Sequence, residues 1–376
     1  MKINHFLRIT ATWIFLFMLT RFTISSQSIT SGSVFNDPTP FEVENLKRVK
    51  QQMVAPPALP EHKQVASDAP VIVEVELIIE EKKMKIDDDA TLWAMTFNGT
   101  VPGPAIVAHE GDYVEVTLVN PSTNALKHNV DFHAATGAMG GGDFTFVSPG
   151  EQAKIRFRAT KSGTFYYHCA PGGMMNPSHI VAGMNGTIII LPREGLKDEH
   201  DTPIKYDKAF YITEQDYYIP KDENGNYIDY DNIRQTFADY NKAMMTLMPT
   251  HVVFNGAVGA LSGENALTAK VGEKVLFITT AANIDTRLHL IGGHVDLVWL
   301  GGSFNDKPVT NYETWPVVAG SAAAAIYQFR QPGEYILINH NMIIGNGLGA
   351  NAEIQVEGAW DNDLMQQIEE PKKIEE

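Results

Sequence analysis

The chain has 376 residues, 44% of them hydrophobic, and a formal charge of −16. That length accommodates about two domains with buried cores, and the acidic balance argues against nucleic acid as a partner. One cysteine excludes an intrachain disulfide framework, so packing holds the fold and the lone thiol is either core filler or a site.

In chain order, Lys2 and Arg8 precede an apolar run, Ile9 to Leu19, too short for the roughly 20 residues a spanning helix needs. Small residues at Ser25 and Ser26 suit cleavage, so residues 1–27 read as a signal peptide and the product as periplasmic, an uncleaved anchor being the alternative. Residues 28–70 are polar, carry PTP and APPALP, and read as an arm or linker. From Val71 the runs VIVEVELII, YVEVTLV, AKIRFRA, TFYYH and GTIIIL, parted by Gly, Pro and Asn turns, have the cadence of a β-sandwich.

The pattern then recurs. FNGTVPGP at Phe97 is echoed by FNGAVGA at Phe254, HEGDYVEVTLVN by KVGEKVLFITTAAN, and KSGTFYYHCA by QPGEYILINHN. We therefore expect an all-β chain of two tandem sandwiches, residues 71–195 and 206–358, joined near REGLKDEHDTPIKYDK and followed by a charged tail, 359–376. The best helical pattern is NIRQTFADYNKAMMTL in the second half.

In the first half His128, Cys169, His179 and Met184 supply a thiolate, two imidazoles and a thioether. That is the donor set of a blue-copper electron-transfer site. Singly, Cys169 would read as a buried hydrophobe and Met184 as core filler; type, order and spacing together point to the metal. Neighbouring side chains on a strand point to opposite faces, so His168 cannot easily bind the ion that Cys169 binds. His133 stands an odd number of residues from His128, and an extended segment would turn it the other way too. His133 and His168 thus form a second pair, and Asp131, two residues before His133, falls on the same face as a proton-donor candidate. A third ligand is wanting there, and the second half offers His251, His289, His294 and His340.

HNVDFHAATGAMGGG, FYYHCAPGGM, HIVAGMNG, ILPREGL, THVVFNGAVGAL, DTRLHLIGGH and INHN together resemble the copper-containing nitrite reductases, over about Val54 to Met365. The resemblance implies two tandem cupredoxin-like Greek-key β-sandwich domains and a homotrimer with a catalytic copper between subunits. It implies two coppers per chain: type 1 on His128, Cys169, His179 and Met184, and type 2 on His133 and His168 with His340 of the next subunit. Asp131 and His289 would be the catalytic proton relay and Ile291 the roof over the substrate. The implied reaction is dissimilatory, reducing nitrite to nitric oxide and water, with electrons from a small cupredoxin or cytochrome c. Two departures stand out: nine residues separate Cys169 from His179 where many members have eight, with Ser178 where they place Trp, and MIIGNGLGA replaces a bulkier, acidic segment after His340.

Two rivals remain: a multicopper oxidase, which would want several His-x-His pairs and a histidine on each side of the cysteine, and a non-enzymatic copper electron carrier, which would leave the His133/His168 pair unused. Copper counting separates the three. His5 belongs to the leader; His62, His109 and His200 read as surface residues, and His251 as structural. His294 is left between orienting the HLIGGH segment and bearing on substrate water. Asn98 and Asn185, each opening Asn-Gly-Thr, read as turn residues rather than glycosylation sites.

Overall fold

The strand runs read from the sequence appear as strands in the computed structural model, which describes residues 40–66 and 69–374. The expected leader over 1–27, with His5, and the start of the arm lie outside the described residues. Ahead of Leu46 the described residues form one short helix, α1 (Pro40–Glu44). In the first half follow β1 (Arg48–Lys50), β2 (Ile72–Asp87), β3 (Ala90–Phe97), β4 (Ile106–His109), β5 (Tyr113–Asn120), β6 (Asp131–Phe132), β7 (Glu151–Arg158), β8 (Gly163–His168), helix α2 (Met175–Val181) and β9 (Asn185–Leu191). They pair as β1-β2-β5-β7, with β3 on β2, and as β4-β9-β8-β6.

The second half contains β10 (Lys208–Tyr217), helix α3 (Ile233–Met244), β11 (His251–Phe254), β12 (Leu267–Lys270), β13 (Lys274–Ala281), β14 (Thr286–Ile291), β15 (Val295–Trp299), β16 (Val309–Tyr312), β17 (Thr314–Val317), β18 (Ser321–Gln328), β19 (Gly333–Asn339) and β20 (Asn351–Glu357). Its sheets run β11-β10-β13-β18-β15-β16 and β12-β20-β19-β14-β17.

Burial explains the contrast between alternating and continuous apolar runs. In β2, Val73, Val75, Leu77 and Ile79 face the first core while Glu74 and Glu76 face outward, the period of a half-buried strand. Strand β9 is buried throughout and ends in an unbroken apolar run because both faces are covered: Ile188 and Ile190 enter the first core, whereas Ile189 and Leu191 enter a separate cluster with Leu276, Ile278, Trp299 and Ile326 of the second half. The two sandwiches therefore share an apolar layer, where each fully buried Ile or Leu contributes roughly 1.5–3 kcal/mol relative to exposure.

The arm departs from the linker reading. Strand β1 pairs in parallel with Ile72–Glu74. Gln51 both donates to the Val107 carbonyl, 2.8 Å, and accepts from the Val107 N–H, 3.0 Å. The Pro57 carbonyl accepts from the Tyr211 N–H of the second half, 2.9 Å. Two histidines assigned to the surface help fasten this strap: His62, within it, lies 2.6 Å from the Tyr206 hydroxyl, and His109, at the end of β4, lies 2.9 Å from the Lys63 carbonyl, both partly buried. His200 is exposed, as expected. Asn98 occupies a left-handed turn (φ 55°), but Asn185 is a correction: it is fully buried at the start of β9 and donates to Gln215, 2.8 Å.

The expected helix forms as α3. Asn232 caps it by accepting the Arg234 N–H at 3.1 Å, and Ile233, Thr236, Tyr240 and Met244 make its buried stripe. It backs α2: Tyr240 donates to the Val181 carbonyl, 2.6 Å, and Ser178 to Asn241, 2.5 Å.

Candidate metal centres

Among the described residues, metal-ligating atoms converge in two groups, His128/Cys169/His179 and Asp131/His133/His168, each within 4.8 Å. They lie back to back across one peptide bond. Strand β8 ends at His168, and Cys169 turns to the opposite side, fully buried, while its N–H is held by the Met184 carbonyl, 3.1 Å.

In the first group Nδ1 of His128 and Nδ1 of His179 stand 3.7 and 3.3 Å from Sγ of Cys169, and all three residues are fully buried. Met184 is buried with them, its N–H donating to the His179 carbonyl, 3.0 Å. Burial pushes the thiol up to about 12, against the pull of the Asn129 and Ala170 N–H groups. Burial, then the charge of His128, takes His179 down to about 3. Such a pocket does not favour a thiolate by itself; a soft cation among these donors would supply the missing charge, and a sulfur with two neutral imidazoles suits copper.

Two residues that the sequence reading did not single out hold this group in place. Glu81 lies 3.0 Å from Nε2 of His128, which leaves Nδ1 as the ring's acceptor. Burial would raise the Glu81 carboxyl, but His128 and the N–H groups of Ala125 and Leu126, at 2.7 and 2.8 Å, hold it below the usual value. Its signal was parity: Glu81 continues the inward series Val75, Leu77, Ile79. Asn129 ties the two ligand segments together, accepting from the Ala170 N–H, 2.7 Å, and donating to the Ala170 carbonyl, 3.0 Å.

In the second group Nε2 of His133 and Nε2 of His168 face each other at 3.2 Å, and Asp131 Oδ2 is 3.7 Å from His168 Nε2. His168 Nδ1 is engaged by the Cys169 carbonyl, 3.0 Å, so its Nε2 is the free lone pair. Desolvation of the inner edge, then the neighbouring His168, lowers His133, which also bonds to the Gly320 backbone of the second half. Two facing imidazole nitrogens at this distance need a shared proton or a shared cation, and these groups fit a metal. Only Asp131–Phe132 of the segment is strand, yet His128 ends buried and His133 exposed. Gly140 (φ 61°) lets the following loop lie over Asp131: a Cβ there would stand 1.9 Å from Asp131 Oδ1.

His340 belongs to neither group. Its ring centroid lies 5.3 Å from that of His289, at 82°, with His289 on β14 and His340 one residue past the end of β19. His289 Nδ1 donates to the Glu313 carbonyl, 2.7 Å, leaving Nε2 outward. Ile291, two residues on along β14, is 43% exposed. His294 is exposed between β14 and β15, while His251 is buried beside Asp87 and Tyr227, as its structural reading expects.

Comparison with known proteins accords with this geometry. Two family models, both described as Multicopper oxidase, match residues 78–195 and 208–360. The chain is 54% identical over 332 residues to the copper-containing nitrite reductase of Cereibacter sphaeroides, covering 88% of this chain and 89% of that protein. It is 56% identical over 327 residues to that of Alcaligenes xylosoxydans, covering 87% and 99%. Among solved structures, the copper nitrite reductase from Nitrosomonas europaea is similar with a TM-score of 0.61 at 30% identity, covering 77% of this chain and 95% of that one.

Proposed function

From the premise that this chain belongs to the copper-containing nitrite reductases, we propose that it reduces nitrite to nitric oxide and water, with the first group holding type 1 copper and the second type 2. His128, Cys169, His179 and Met184 would hold one ion; His133 and His168, with His340 of another copy, would hold the other. Copper supplies a one-electron store in the buried group and an electrophilic position for nitrite in the open one.

The observation that carries this reading is the Cys169–His168 dipeptide, whose thiol enters one donor group and whose imidazole enters the other. That bonded path is the shortest link between them. Each nitrite takes up one electron and two protons. The Asp131 carboxyl, beside His168, and His289 would hand over those protons, His289 acting as the imidazolium with Nδ1–H bonded to the Glu313 carbonyl and the second proton on Nε2. Ile291 would cover the substrate.

A homotrimer, which the family resemblance implies, would complete the split arrangement: one half-site carries Asp131, His133 and His168, the other His289 and His340. Met342, Ile343 and Ile344, 50%, 84% and 38% exposed just after His340, support a contact with a second copy there. The leader would send the chain to the periplasm, where a small cupredoxin or cytochrome c would serve as donor.

The test is anaerobic turnover with copper counting. Two coppers per chain and stoichiometric nitric oxide are expected, and His168→Ala should keep the type 1 colour yet lose turnover. Nitrite reduction persisting in a variant shown to lack the second copper would overturn the proposal.

A further inference from the structure

We propose that Glu214 is the positioning residue of the half-site on the second sandwich: its buried carboxyl joins Thr286 of β14 to Asn339 at the end of β19 and so fixes His289 and His340 relative to each other. The inference rests on the assignment of those two histidines made above.

The last rung of the β14–β19 ladder pairs Leu288 with Asn339, so His340 stands one residue beyond regular sheet. Side chains take over from there. Thr286 Oγ1 lies 2.6 Å from Glu214 Oε2, and Asn339 Nδ2 donates to Glu214 Oε1 at 3.0 Å. Asn339 Oδ1 in turn accepts the N–H groups of Asn341, 2.9 Å, and Arg287, 3.4 Å, and the His340 N–H donates to the Arg287 carbonyl, 2.7 Å. Glu214, Thr286 and Asn339 are all at most 2% exposed. Because β10 lies in the other sheet of the sandwich, this one carboxyl ties the two sheets together beneath the histidines.

Burial raises the Glu214 carboxyl to about 8; bonds from Thr286 and Asn339 oppose the rise and the neighbouring Asp216 adds to it. At neutral pH the group is therefore mainly the uncharged acid. It clamps two strands without placing a net negative charge under the site. A carboxamide can bridge the same two partners, its oxygen accepting from Asn339 Nδ2 and its NH2 donating to Thr286 Oγ1 as the O–H of the uncharged acid does, whereas a methyl group leaves buried Thr286 and Asn339 groups unpaired.

The experiment uses the copper-loaded full chain, titrating second-site copper with a competing chelator while thiolate absorbance reports the first site. Glu214→Ala should weaken second-site retention by about 10–100-fold with first-site colour unchanged, the cost typical of losing a partner that orients a metal ligand. Glu214→Gln should stay within about threefold of the parent chain, since the carboxamide restores both bonds. Retention in Glu214→Ala equal to the parent, or Glu214→Gln as weak as Glu214→Ala, would overturn the clamp. Should Glu214→Ala not fold, Thr286→Val removes one arm at constant shape and should still weaken retention; no change there would also sink the proposal. His340→Ala separates the two layers of inference. If it strips the second copper and the clamp variants do not, the clamp alone fails; if it does not, the ligand assignment falls and takes the clamp with it.

Discussion

The two donor groups meet across a single peptide bond and are built on opposite principles. In the first, every donor is fully buried, one chain supplies the whole set, and Glu81 and Asn129 fix the segments that carry it. In the second, His133 is exposed, Asp131 and His168 are half-buried, and His289 with His340 forms a separate pair. A closed set limits rearrangement between oxidation states, which suits an ion that only stores an electron. An incomplete set leaves room for a substrate. The dipeptide 168–169 holds both because alternate strand positions face opposite ways.

The strongest way to break the comparison is to empty one side. Cys169→Ala should abolish the thiolate absorption and reduce donor-driven turnover to background while copper bound at His133 and His168 persists; absorption, metal analysis and nitric oxide production together check it. Loss of both coppers at once would show that the two groups are not separable.

Next in size is Gly140→Ala, set against Gly137→Ala. Both glycines have positive φ, so either alanine meets backbone strain of about 1 kcal/mol. Only at Gly140 does the new methyl collide with Asp131 Oδ1; nothing lies within 4 Å of the other. Gly140→Ala should lower kcat/KM by about 10–100-fold, the scale of a displaced proton donor, whereas Gly137→Ala should change only the unfolding midpoint. In an Asp131→Ala background the Gly140 effect on kcat/KM should shrink to what the contacts with the Phe132 backbone, at 2.8 and 2.9 Å, leave.

What could be read without coordinates was what is local. Strands announce themselves through β-branched alternation, and the opposed directions of His168 and Cys169 follow from their being neighbours. What stayed hidden depends on distant partners. Glu81 is 47 residues from His128 in the chain, and nothing beside it in EEKKMK marks it except its parity with Ile79. Glu214 looks like any strand carboxylate until Thr286 and Asn339 close over it. Proline and polar residues made the arm look like a linker, since its anchors are single side chains such as Gln51 and His62 rather than an apolar pattern. Neither does spacing say that His340 stands away from His133 and His168 within its own chain.

The two hidden carboxyls sharpen the comparison through pH. Glu81 is held below its ordinary value, so its contribution to stability is complete above the unfolded pKa and is lost as pH falls through the lower folded one. Glu214 has the opposite sign. Its folded form keeps the proton up to about 8 while the unfolded chain releases it near the ordinary 4.5, so stability falls as pH rises across that window. One such group gives a slope of at most about 1.4 kcal/mol per pH unit. Denaturant unfolding of Glu214→Gln should therefore decline less between pH 5 and 8 than that of the parent chain, and a parallel curve would remove Glu214 as the cause.

The smallest effect is expected from the strap, which differs from both metal groups in touching neither. Gln51→Ala deletes two bonds to the Val107 backbone, at 2.8 and 3.0 Å, on the strand beside β9. Each is worth about 0.5–1.5 kcal/mol, so the unfolding midpoint should fall by the equivalent of about 1–3 kcal/mol with copper content and turnover unchanged. The reason lies in the layer beneath: Val107 and Ile189 belong to the apolar cluster shared with the second sandwich, not to the core around Cys169. Loosening the strap therefore weakens the seam between halves before it reaches the thiol. A fall in first-site absorbance at a temperature where the rest of the fold remains intact would show instead that the strap supports the buried group directly.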